Sequence, residues 1–256
     1  MPNVVKEKLQ SGRVSVGVWI EVMNAELVEL CGYLGYDFAV LDAEHHALDA
    51  MACVELVRAC ELSGLVPLVR VPYDHPGVIS GFLDMGCLGV YVPHVSSGAQ
   101  ARRLVESVKF PPQGRRGAGL GRGPRYFLGG LTRGQIQAQQ NDDTMILALV
   151  EDEEGIENLE DIGNTEGVDA IGIGQVDLAN SMGHEGRTDH PEVVRTVQAA
   201  QRQILAAGLA FDAVVTTSEE AERAIADGAQ VVSVSLRGVV RHGLAKVLGD
   251  IEHAVQ

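Results

Sequence analysis

The chain has 256 residues, 46% of them hydrophobic and only 4% aromatic, so it can build a large core but must pack it from Val, Leu, Ile and Ala. A formal net charge of -15 excludes the electropositive footprint of a nucleic-acid-binding protein. No apolar run approaches the ~20 residues of a membrane span, and Met1-Pro2-Asn3-Val4-Val5-Lys6 lacks the basic-then-apolar pattern of a secretory signal. A cytoplasmic protein with neither nucleic acid nor membrane as partner is expected.

In chain order, strand candidates fall at residues 14–20, 37–41, 67–69, 88–92, 146–150, 170–174, 209–215 and 230–235. Most are separated by segments of helical periodicity. The second runs directly into Asp42-Ala43-Glu44-His45-His46, the third ends in Arg70, the fourth in Pro93-His94, the fifth in Glu151, and the sixth leads to Asp177. Short apolar runs suit parallel strands buried on both faces, and charge at their carboxyl ends is where α/β barrels keep their chemistry. Eight alternating units predict one (β/α)8 TIM barrel spanning residues 1–256, close to the ~250 residues typical of that fold.

Residues 110–143 are the irregular stretch, too rich in Gly, Pro and Arg around Pro111-Pro112-Gln113-Gly114-Arg115-Arg116-Gly117 for a regular element. They are expected on the catalytic face after the fourth strand, either as a surface loop or as one that closes the site or meets a neighbouring subunit. Cys31, Cys53, Cys60 and Cys87 form no CxxC pair and read as buried thiols. The acids from Asp152 to Asp161 suit a solvated helix start, leaving Glu151 apart at a strand end.

Trp19, Leu41-Asp42-Ala43-Glu44-His45, Pro67-Leu68-Val69-Arg70, Leu83-Asp84-Met85-Gly86, Val92-Pro93-His94-Val95, the Pro111–Gly117 motif, Glu151 and the run from Gly167 to Leu178 occur in an order that resembles the HpcH/HpaI aldolase family over about residues 12 to 205. The resemblance implies a metal-dependent class II aldolase handling pyruvate-like 2-oxo acids through an enolate. It also implies a hexamer built from dimers with exchanged C-terminal helices. Asp84 precedes the fourth strand, so it either assists His45 from a neighbouring chain, as the family pattern implies, or is a helix-end aspartate beside Gly86.

The residues themselves support that chemistry. Carboxylates on neighbouring parallel strands, roughly 4.8 Å apart, let Glu151 and Asp177 reach one hard cation, Mg2+ or Mn2+ with Co2+ as a third candidate, that keeps positions open for a 2-oxo acid. The alternative makes Glu151 a helix-start acid and Asp177 a cap. Gly174, Gln175 and Val176 form a turn whose N–H groups could hold the substrate carboxylate, and Trp19 and Glu44 complete the expected substrate contacts. Gln175 stands where the family pattern has proline. Arg70 is either the partner of an enolate oxygen, an ion-pair partner of Asp42 or Glu44, or both. His45 is the expected acid/base residue, Asp42 a supporting catalytic residue, and His46 a structural neighbour pointing elsewhere. His94 could lie near the site or on a polar rim. Leu149 replaces a glutamine of several family members, and Ser235-Leu236-Arg237 departs from the family pattern, with Arg237 a candidate contact for an anionic substrate tail.

Three functions follow from these residues. The first is a lyase cleaving or forming 4-hydroxy-2-oxo acids as pyruvate plus an aldehyde. The second is a synthase condensing an oxaloacetate-derived enolate with another carbonyl or thioester, and the third a noncatalytic metabolite-binding barrel. A Schiff-base aldolase is not expected, because Lys6, Lys8, Lys109 and Lys246 are the only lysines and none stands at a predicted strand end.

Overall fold

The computed structural model describes residues 3–46 and 48–254, so Met1 and Pro2 of the N-terminal reading and the last two residues of the expected 1–256 domain lie outside it. Eight parallel strands, β1 (Ser15–Ile20), β2 (Phe38–Asp42), β3 (Val66–Arg70), β4 (Gly89–Val92), β5 (Met145–Val150), β6 (Ala170–Ile173), β7 (Ala210–Val215) and β8 (Val231–Ser235), pair in sequence order and close on themselves. Closure is made by β1 against β8, with Gly17 opposite Ser233 and Trp19 opposite Ser235.

Helix α1 (Val4–Gln10) precedes β1; α2 (Ala25–Tyr33), α3 (Ala50–Ser63), α4 (Pro76–Asp84), α5 (Gly98–Val108) and α6 (Arg133–Asp143) follow. They are succeeded by α7 (Glu153–Glu157), α8 (Leu159–Gly163), α9 (Gln175–Ser181), α10 (Pro191–Ala206), α11 (Ser218–Ala226) and α12 (Leu236–Ala254). Asn24, Asp49, Ser97 and Asp152 each accept an N–H of the helix they precede, and Thr217 and Glu220 form a capping box.

Alternation along the strands sorts their side chains into two cores. Trp19, Phe38, Val40, Leu68, Tyr91, Met145, Leu147 and Leu149 fill the barrel. Val18, Ala39, Leu41, Val69, Val90, Ile146 and Ile171 meet the helices outside it. Val5 of α1, fully buried, joins the inner cluster from the N-terminal end, where the Asn3 amide bonds the Leu88 and Asp143 carbonyls.

The expectation for residues 110–143 needs two corrections. Residues 133–143 are helical, started by a Thr132/Gln135 capping box; the run has one large apolar residue, the buried Ile136, so it shows no helical periodicity. The loop before α6 also sits at the other end of the barrel, because α5 has already carried the chain back. Gly123 donates its N–H to the Asp84 carbonyl, and Arg122 pairs with Glu61 near the end of α3. The loop therefore does not cover the strand ends of its own barrel.

Four buried cysteines are unpaired, as the sequence suggested. No described helix is long and apolar enough to cross a membrane.

Candidate active site

Asp42 and Arg70 are cross-strand partners at the carboxyl ends of β2 and β3. Arg70 donates from Nε and Nη2 to the two Asp42 oxygens at 2.9 and 2.7 Å, and its Nη1 stands 3.0 Å from Glu44 Oε2. Burial alone would raise the Asp42 carboxyl, which is 1% exposed, but the bonds and charge of Arg70, with His46 and the Glu44 N–H, hold it below the usual carboxylate range. The guanidinium lies 4.8 Å from the centre of the Trp19 ring, and Trp19 meets Tyr91 edge-on at 5.2 Å. A bidentate pair at the base and an aromatic face beneath leave Arg70 with one orientation, toward the mouth.

Across the mouth, Glu151 follows β5 and is 5% exposed. Its pKa is raised, first by burial; the His94 N–H and ring oppose this, while the charges of Glu44 and Asp177 add to it. Gly174 follows β6, and a Cβ there would lie 2.3 Å from Glu151 Oε1, so only glycine leaves room for the carboxylate. Asp177 is exposed in the first turn of α9, with Gln175 and Val176 exposed beside it.

His94 is drawn into this group by its backbone. Its φ of 56° turns it into the left-handed region, unusual for a residue with a side chain. Its N–H and its Nδ1 both stand 3.0 Å from Glu151 Oε2, while Nε2 is 3.4 Å from Glu44 Oε1. The pairing spans 57 positions, so the sequence could offer only a histidine after a strand.

The two adjacent histidines divide differently from expectation. His45 is exposed, with Nε2 3.7 Å from Glu44 Oε2. His46, expected to point elsewhere, turns inward instead: Nδ1 bonds Asp42 at 2.9 Å and Nε2 meets Arg237. Asp42 had acceptor capacity left after binding Arg70, and His46 takes it. Glu21, unnoticed in the sequence, accepts from Ser235 Oγ at 3.0 Å and from the Arg237 N–H at 2.8 Å, tying the β8 end to the β1 end. Asp84 bonds Arg116 at 2.7 Å, and no contact joins it to His45 of its own chain.

Glu44, Glu151 and Asp177 thus place oxygen donors around one mouth, where each carboxylate works against its neighbours. A hard divalent cation fits that donor set and its surplus negative charge. His184, His190 and Glu192 are the one group of three among the described residues with ligating atoms within 4.8 Å of one another. Their atoms are already engaged: His184 bonds Glu192 at 2.9 Å and stacks on His190, whose Nδ1 accepts the Glu192 N–H and caps α10.

The lysines lie elsewhere. Burial lowers Lys109 to about 8, the state expected of a Schiff-base lysine, yet its Nζ is held by the Asn141 and Thr144 carbonyls just before β5, at the opposite end of the barrel.

A profile of the HpcH/HpaI aldolase/citrate lyase family matches residues 15–242. The chain belongs to that family. It is 34% identical over 254 residues to the 5-keto-4-deoxy-D-glucarate aldolase of Citrobacter koseri, covering 96% of this chain and 95% of the relative. Among solved structures, an HpcH/HpaI aldolase from Desulfitobacterium hafniense superposes with a TM-score of 0.89 at 27% identity, covering 96% of both chains. The citrate synthase SbnG gives 0.87 at 28%, covering 97% of both. As a member of this family the chain is a carbon–carbon lyase of the aldolase type.

Proposed function

We propose that the chain cleaves and forms 4-hydroxy-2-oxo acids, giving pyruvate and an aldehyde, at the mouth lined by Asp42, Glu44, Arg70, Glu151 and Asp177. The observation that carries this reading is Arg70, fixed from below by Asp42 and Trp19 while surrounding carboxylates gather opposite it. A guanidinium held in advance stabilises negative charge on the 2-oxo oxygen as the enolate forms. Glu151 and Asp177 would hold Mg2+ or Mn2+, which supplies polarisation of the 2-oxo group. His45, exposed and free to swing, accepts the proton of the C4 hydroxyl. The C3–C4 bond then breaks, its electron pair passes into the enolate, and the aldehyde leaves. Protonation at C3 completes pyruvate.

The substrate carboxylate meets the N–H groups of the Gly174-Gln175-Val176 turn, and Trp19 and Glu44 border the same space. Arg237, exposed beside His46 and Glu21 at the mouth, suits a second anionic group on the aldehyde. The relative that acts on 5-keto-4-deoxy-D-glucarate bears such a group on its substrate. The exposed apolar residues Val239, Val240, Leu244, Val247, Leu248 and Ile251 of α12, a helix without one buried residue, suit exchange with a second copy in a dimer-based hexamer. From that copy Asp84 would assist His45.

Proton exchange at the pyruvate methyl group, followed by NMR with metal-stripped protein before and after Mn2+ or Mg2+, tests the enolate step. Exchange only with metal is expected, and exchange independent of metal would refute the assignment. The likeness to a citrate synthase favours one second reading, condensation of an oxaloacetate-derived enolate. Absence of pyruvate exchange combined with metal-dependent turnover of oxaloacetate would select it.

A further inference from the structure

We infer that His94 supplies a nitrogen ligand, through Nδ1, to the divalent ion held by Glu151, and that this ligand shifts the site's preference from Mg2+ toward Mn2+ and Co2+. The inference rests on the metal-dependent reading above and adds a residue to it.

Three observations converge. The first is spacing. Ligands in adjacent positions of an octahedral ion, with bonds of about 2.1 Å, stand roughly 3.0 Å apart. The separation of His94 Nδ1 from Glu151 Oε2 is 3.0 Å, so one ion can bind both atoms without either residue moving far.

The second is the other ring nitrogen. A histidine that ligates metal through one nitrogen almost always donates from the other to a carboxylate, carbonyl or water, which fixes its tautomer and orientation. His94 Nε2 faces Glu44 Oε1 at 3.4 Å, and Glu44 is in turn 3.0 Å from Arg70 Nη1. His94 therefore has the outer partner of a ligand, and that partner is anchored to the residue that meets the enolate.

The third is the backbone. A histidine at φ 56° is strained, and strain of this kind persists where the surrounding structure fixes it, commonly at binding sites. Here the conformation brings N–H and Nδ1 of one residue to the same carboxylate oxygen. The ring remains 61% exposed, so it borders the open side of the mouth where an ion enters.

An imidazole nitrogen is a softer donor than the oxygens that Mg2+ selects, and first-row transition ions accept it more readily than Mg2+ does, Co2+ more than Mn2+; of these, Mn2+ reports a coordinated nitrogen through its unpaired spins. Mn2+ is therefore the probe. Continuous-wave EPR counts the bound ion, and electron spin echo modulation detects directly coordinated nitrogen. In the wild-type chain, modulation from a coordinated imidazole is expected, and it should change to the nitrogen-15 pattern when the protein is grown on nitrogen-15 histidine. It should vanish in His94→Asn, chosen because asparagine tolerates a positive φ, and survive in His45→Gln. Mn2+ affinity should fall in His94→Asn by at least the ~10-fold typical of losing even an outer partner of a ligand, with a smaller change for Mg2+.

Bound Mn2+ without coordinated nitrogen overturns the inference and leaves the aldolase reading standing. So does modulation that persists in His94→Asn or disappears in His45→Gln. Failure of the wild-type chain to bind Mn2+ overturns both. Because the isotope experiment needs no substitution, a variant that does not fold leaves the test intact.

Discussion

The two ends of the barrel bury charge in opposite ways. At the amino-terminal end the buried and half-buried cations meet answering partners: Lys8 with Asp37 at 2.7 Å, Lys6 with Asp169 at 3.0 Å, Arg116 with Asp84 at 2.7 Å, and Lys109 with two carbonyls. Asn141 closes the same region by bonding both the N–H and the carbonyl of Phe110. At the carboxyl end Asp42 and Glu44 share the guanidinium of Arg70, while Glu151 and Asp177 have no arginine or lysine partner among the described residues, and Glu151 is raised first by burial and further by the charges of Glu44 and Asp177. Buried charge that is matched is architecture; an unmatched surplus of one sign is maintained because a ligand completes it. The comparison explains why a depressed lysine at one end is structural while a crowded glutamate at the other belongs to the chemistry.

The sharpest way to break that comparison is Arg70→Lys. Lysine keeps the charge but loses the fork that holds both Asp42 oxygens and fixes the direction of the group above Trp19. Turnover should fall by about 10²- to 10³-fold, as when one preorganised donor to a developing oxyanion is lost, with KM for the 2-oxo acid changing much less. Steady-state kinetics checks this, and an unchanged kcat would mean that Arg70 is as structural as Arg116.

How far this division was legible in the sequence depends on the range of the interactions. The strands were readable because each is a local apolar run, and Arg70, Glu151 and the Asp42–His46 cluster could be placed because each stands within a few residues of a strand end. His94 joining Glu151, Arg237 meeting His46, and Glu21 bonding Ser235 across 214 positions arise only when the barrel closes. His45 and His46 could not be told apart, since adjacent residues diverge according to how the chain turns after the strand. The loop before α6 was assigned to the wrong end because it was placed directly after the fourth strand, without allowing for α5, which returns the chain to the other end. In the fold its glycines let the chain lie close against Asp84, where a Cβ at Gly121 or Gly123 would come within 2.8 or 2.2 Å of backbone oxygen.

A smaller effect is expected at the matched end. Lys109→Met retains most of the buried stem while leaving the Asn141 and Thr144 carbonyls without their donor. Stability should fall by about 1–3 kcal/mol, measured by denaturant unfolding, while kcat and KM stay at wild-type values. A well-folded Lys109→Met protein without activity would show that the lysine works in the chemistry after all.

A last test lies between the two ends, where Asp212 is buried in the barrel interior. Ser233 Oγ donates to its Oδ1 at 2.8 Å, while its Oδ2 and the Tyr91 hydroxyl have no hydrogen-bond partner among the described residues. Burial raises this carboxyl to about 7 against the lowering effect of Ser233, and burial followed by the Asp212 charge raises Tyr91. A neutral carboxyl can donate where a carboxylate cannot, so the protonated form suits an interior that offers a nearby hydroxyl and no cation. Between the unfolded value of about 3.9 and about 7, the folded chain keeps a proton that the unfolded chain has released, so the contribution of Asp212 to stability falls as pH rises through that window and levels off above it. Asp212→Asn, neutral throughout, should lack this component, and the difference in unfolding midpoint between the two proteins should move in favour of the variant from about pH 4 to about pH 7. A difference that stays flat would mean that Asp212 is ionised in the folded barrel, and the interior would then hold a buried charge as unmatched as those at the mouth above it.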